Sequence, residues 1–161
     1  MAAGEPVDAV VDDLLALARV LVGLTARTLA SFDVDLTLPQ YRTLVVLAGH
    51  GPRRAVDLAA DLGVHPSTVT RTCDRLVRRG LVRRHRETSD RRSVRLSLTE
   101  AGKALIGDVM RRRAAELRRL ARPFGGDLGE AVRGVVAAAG EPSEVEWWRR
   151  WSVSVLPDDP D

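Results

Sequence analysis

The chain has one cysteine, Cys73, in 161 residues, so it closes no internal disulfide and must be held together by its core. That usage fits the reducing cytoplasm, where we expect the protein to work. No apolar run approaches the roughly 18 residues of a membrane span, which excludes a membrane-spanning helix as a partner for lipid. The opening MAAGEPVDAVVDD is acidic and has no basic n-region, so no signal peptide is expected. Histidine is nearly as scarce: His50, His65 and His85 are the only three. Neither their spacing nor Cys73 forms a metal-ligand pattern. There is no glycine loop of the phosphate-cradling type and no nucleophile elbow, and acid pairs such as Asp12–Asp13 lie along a helix without an evident cleft. The expectation is a non-enzyme with no metal, no cofactor and no catalytic residue.

Length and a 45% apolar, 29% charged composition are those of one ordinary globular domain. Basic charge is almost all arginine, 24 against one lysine, a ratio that reads as coding bias. Its placement says more. Residues 65–95 hold ten arginines and three acids, a net of +7, whereas residues 1–40 hold two arginines and six acids, a net of −4. A basic middle on an acidic arm is the footprint of a nucleic-acid contact face.

Hydrophobic spacing predicts a long helix over 7–30 and a second from Thr37 or Leu38 through "QYRTLVVLAGH", ended by Gly49 or Gly51. A short helix, "AVDLAADL", follows at 55–62 and stops at Gly63; Pro66 opens the next, which runs to about Arg79 and stops at Gly80. The period then changes from helix to strand. "LVRRHR" and "SVRLSL" read as a two-stranded hairpin about the polar "ETSDRR". Thr99 caps a helix to about Arg122, Pro123 halts it, and "GGDLGEAVRGVVAAAG" gives another; the tail carries a short helix.

On a helical wheel Val69, Thr72, Cys73, Leu76 and Val77 form the anchored side of the Pro66 helix. Ser67, Arg71, Asp74, Arg75 and Arg78 face the other way, with Thr68 and Thr70 on the flanks. Ala59, Gly63 and Val69 have the spacing of a helix-turn-helix: a small residue at the crossing, a glycine at the corner and a β-branched plug. In that unit the second helix enters the major groove with its N-terminal residues at base edges. Short hydroxyls permit close approach, and arginine matches guanine O6/N7. The hairpin supplies a wing whose tip, flanked by Arg91 and Arg92, suits a narrow minor groove. Asp90 supports that turn.

Together "LTLPQYRTLVVLA", "LGVHPSTVTR", "RLVRRGLVRR", "DRR" and "LTEAG" resemble the MarR family of winged helix-turn-helix regulators, over roughly residues 36–105. The resemblance implies base contacts from Ser67, Thr68, Thr70 and Arg71, a phosphate contact from Arg75, and a wing-tip arginine at Arg92. Where the family often has an acidic or small polar cap, this chain has His65, which leaves the cap weaker or makes His65 a phosphate contact. The fold expected is mainly α with a small β-hairpin wing, all within one domain. Residues 7–31 and 99–140 would form the dimerisation region, 36–98 the DNA-reading lobe, and 141–161 a tryptophan-bearing tail.

The outer helices have apolar stripes broader than the wing module needs. They predict a homodimer on pseudo-palindromic double-stranded DNA. The resemblance further implies a ligand-responsive repressor. It points to Tyr41, Arg42 and His50 on the second helix as candidate effector residues, although packing roles are open to each. Alternatives are a weakly specific architectural DNA binder or an adaptor working through protein contacts. Cys73 lies on the anchored side of its helix and is read as inert. Trp147, Trp148 and Trp151 are read as a clamp onto the partner or the first helix; the other reading is an aromatic ligand site.

Overall fold

The computed structural model describes residues 5–86, 94–124 and 126–154. Helix α1 (Glu5–Ala30) leads into α2 (Leu38–His50). The start of α2 is specified locally. The Thr37 hydroxyl accepts the Gln40 N–H at 3.4 Å, while the Gln40 side chain accepts the Thr37 N–H at 2.9 Å, a reciprocal capping box with Pro39 in the first turn. Of the two candidate terminators it is Gly51, at φ 72°, that ends α2; Gly49 stays helical and buried.

The sheet has one strand more than the sequence predicts. Strand β1 (Arg53–Arg54) pairs with β3 (Val94–Leu98), which also pairs with β2 (Val82–Arg86), giving the antiparallel order β1-β3-β2. Two residues are too few for a side-chain period, and only the backbone pairing of Arg53 with Leu96 and Arg54 with Arg95 defines the strand. Alternation also breaks at Ser97, which is buried because its hydroxyl accepts from Arg83 Nε at 3.2 Å.

Helices α3 (Ala55–Leu62) and α4 (Pro66–Arg78) pack with α2 and the sheet into one lobe, and α5 (Glu100–Ala121), α6 (Gly126–Ala138) and α7 (Glu144–Ser154) follow. The core gathers Leu44 of α2, Leu58 of α3, Leu76 of α4 and Ile106 of α5, all fully buried. α5 meets the wing where Gly102 lies against the Leu81 carbonyl; a Cβ there would overlap that backbone oxygen.

Two regions stand apart from this core. Every residue from Val7 to Val20 except Ala16 is exposed, valines and leucines included. α6 buries none of its side chains, although Leu128, Val132 and Val135 lie along it. Among the described residues no helix is long and apolar enough to cross a membrane.

Candidate nucleic-acid interface

The corner between α3 and α4 is built as its residue types demand. Gly63 takes the left-handed conformation at φ 65°, and its N–H bonds the Ala60 carbonyl at 3.1 Å while that of Val64 bonds Ala59 at 3.0 Å. Ala59 and Val69 are both nearly fully buried at the crossing, so α4 is seated tightly on α3. Val69, Cys73 and Leu76 point inward.

The opposite edge of α4 faces solvent. Ser67, Thr68, Thr70, Arg71 and Arg75 are all exposed and lie on one continuous surface. His65 does act as the cap. Its Nδ1 accepts the Ser67 N–H at 3.3 Å and lies 2.9 Å from the Ser67 hydroxyl. An imidazole thus replaces the usual small polar cap at the end that carries the partial positive charge of the helix. The Thr70 hydroxyl donates to the Pro66 carbonyl at 3.0 Å, leaving its methyl and an acceptor lone pair outward. Among the described residues Arg71 and Arg75 make no hydrogen bond or ion pair through their side chains, so both guanidiniums are available to a ligand.

Neighbouring cations are employed differently. Asp74, on the outward face by the wheel, forms an ion pair with Arg84 that ties α4 to the wing. Arg79 donates to the Asp35 carbonyl and pins the end of α4 to the loop before α2. Neither tie has a signal in local spacing, because each crosses from one element to another, ten positions apart for Asp74 and Arg84 and 44 for Asp35 and Arg79. Asp90, Arg91 and Arg92 lie outside the described residues.

Tyr41, Arg42 and His50 come together along one cleft of about 360 Å³ between α2, α5 and α7. Arg42 and His50 are exposed, whereas Tyr41 is buried. The Tyr41 hydroxyl accepts from Arg113 at 2.9 Å and lies 3.3 Å from the Met110 sulfur, with the Arg113 guanidinium 5.8 Å from the centre of its ring. Arg113 Nε is buried without a partner among the described residues. Sequence reasoning missed Arg113 and did not connect Trp147 with this cleft, since only the tertiary fold brings α5 and α7 to α2.

Of the two seats expected for the tryptophans, the one within the chain moves: they pack onto α2 instead of α1. Trp147 and Trp151 stack with ring centres 5.6 Å apart, and Trp148 meets Trp147 edge-on at 5.3 Å, so all three rings cluster.

Cys73 is fully buried beneath α4, and burial pushes its thiol up to about 11. The thiolate is the reactive form. Native protein at pH 8 should therefore leave a disulfide reagent unconsumed over minutes and titrate one thiol once denatured. Rapid native labelling would contradict the buried seat.

The sequence pattern of the MarR family matches residues 36–94, which span α2, β1, α3, α4 and β2. A crystal structure of Rv1404 from Mycobacterium tuberculosis is 36% identical, covers 86% of this chain and 97% of its own, and superposes with a TM-score of 0.78. The chain belongs to the MarR family. Among its relatives, the HTH-type transcriptional repressor MdtR of Bacillus subtilis is 36% identical over 84 residues, 52% of this chain and 54% of MdtR. The chain spans about half the length of the curated relatives it matches. Streptococcus pneumoniae FabT, crystallised in complex with DNA, shares the MarR fold over 83% of this chain and 94% of its own, at 21% identity and a TM-score of 0.70.

Proposed function

We propose that this protein is a sequence-specific double-stranded-DNA-binding transcriptional regulator. It works in the cytoplasm as a homodimer on a pseudo-palindromic operator and acts as a ligand-responsive repressor. The observation that supports this best is the outward edge of α4. Small hydroxyls and two uncommitted guanidiniums share one exposed surface, on a helix whose other side is buried in the lobe. That is the arrangement direct readout in the major groove requires. Ser67, Thr68, Thr70 and Arg71 meet base edges, Arg75 and His65 meet phosphate, and Arg91 and Arg92, with Asp90 supporting their turn, reach the minor groove. The repressor MdtR and the DNA complex of FabT support the same reading.

Dimerisation follows from the exposed valines and leucines of α1 and α6, which a second copy would cover. The two copies of α4 then sit about one DNA turn, roughly 34 Å, apart. An effector in the cleft of Tyr41, Arg42 and His50 would touch α2, on which the lobe is built. Couplings of about 1–3 kcal/mol are enough to change operator occupancy severalfold or more.

An electrophoretic titration tests the central point. Duplexes selected from a random library should bind far more tightly than unselected ones; equal affinity for all sequences would leave only an architectural role. Salt gives a second check. If about three cations per subunit reach phosphate, affinity should fall on the order of a thousandfold between about 50 and 200 mM monovalent salt. A flat response would exclude a phosphate-contacting face.

A further inference from the structure

α7 returns to the lobe that α5 has already joined, after α6 has left it. It docks on α2, and the seat is specific. Gly49 is buried in the last turn of α2, a helix that contains no other glycine, and a Cβ placed on it would lie 2.6 Å from the Trp147 indole nitrogen. Trp147 and Trp151 pack against the main core from this position. The start of α7 is locked as well. Ser143 Oγ accepts the Glu146 N–H at 3.3 Å, and the Glu146 carboxylate accepts from the Ser143 N–H and hydroxyl, each at 2.9 Å.

The other end of this connection is α6, which buries nothing in its own chain and presents apolar side chains outward. Only a few residues, 139–143, separate the two helices. α6 is thus joined to the rest of the chain through α5 at one end and through the Trp147–Gly49 seat at the other.

We propose that α7 is a strut that fixes the DNA-reading lobe relative to the C-terminal helices and so sets the distance between the two recognition helices of the dimer. This rests on the dimeric-operator reading above. Trp147 is a positioning residue in this account and touches no DNA. It acts by holding α2, to which α3 and α4 are packed. Trp147 also lines the cleft beside Tyr41, so a molecule entering there bears directly on the strut.

Gly49→Ala and Trp147→Ala test it in the full-length protein. The alanine at 49 favours the helix it sits in while displacing the indole. All three tryptophans lie on α7, so intrinsic fluorescence reports its seating alone, and Gly49→Ala should shift emission to the red. Both variants should remain dimeric by light scattering. Selection from random duplexes should give the wild type one fixed spacing between half-sites. The variants should recover the same half-site sequence at several spacings, with discrimination against a one-base-pair change reduced at least about fivefold.

An unchanged single spacing in a variant whose fluorescence shows α7 released would overturn the strut. So would a monomeric variant, which would make α7 part of the dimer contact. A wild-type selection without paired half-sites would instead sink the operator reading, and the strut with it.

Discussion

Replacing Leu14 and Leu17 together by glutamate is expected to convert the dimer to a monomer and to weaken binding to a two-half-site duplex by at least about a hundredfold. The two leucines continue the stripe that Leu21 and Leu24 begin at the core, but they project beyond it and are 39% and 43% exposed. Within one chain, glutamate at these sites meets water and should leave the fold intact. Across a two-fold interface each substitution counts twice, so four leucines leave the contact. Each leucine fully buried there contributes about 1.5–3 kcal/mol, and the four carboxylates would also have to be desolvated. The second recognition helix then no longer binds as an intramolecular event, and the gain from linkage disappears. Light scattering and fluorescence anisotropy measure the two effects. A variant that stays dimeric would show that α1 is not the dimer contact.

Arg71→Ala should be the most damaging single change on the DNA-reading surface. A good bidentate arginine–guanine pair discriminates by about 1–3 kcal/mol, and a symmetric dimer makes it twice, so the specific site should lose about 2–6 kcal/mol, roughly thirtyfold to more than ten-thousandfold. Non-specific binding should fall much less. Stability should hold within about 0.5 kcal/mol, because Arg71 is exposed and its side chain has no internal partner among the described residues. Arg84→Ala is the informative contrast, since it removes the tie to Asp74 between wing and α4. If Arg71→Ala keeps full discrimination between selected and random duplexes, base readout does not pass through that residue.

The features legible in the sequence were those encoded by neighbours. Thr37 and Gln40 three residues apart specify the start of α2, and Gly63 with Pro66 specify the corner and the opening of α4. The outward hydroxyls and arginines of α4 follow from helical period alone. The features that escaped depend on distant pairs. β1 exists only through its pairing with β3. Gly49 resembles a helix terminator until Trp147, about a hundred residues later, is seen to occupy the space its missing side chain leaves. The cleft was anticipated by Tyr41, Arg42 and His50, yet its floor at Arg113 and its wall at Trp147 come from helices that local periodicity cannot bring to α2. By residue type His65 is a weak cap or a phosphate ligand; in the fold its imidazole accepts the Ser67 N–H and caps α4 directly.

Methylation interference on a selected duplex tests the central claim most directly. Dimethyl sulfate marks guanine N7 in the major groove and adenine N3 in the minor groove, so it reports which groove the protein must enter. The account predicts that guanine methylation blocks binding in two clusters about one helical turn apart. Interference confined to adenines, or absent from both grooves, would contradict a recognition helix seated in the major groove.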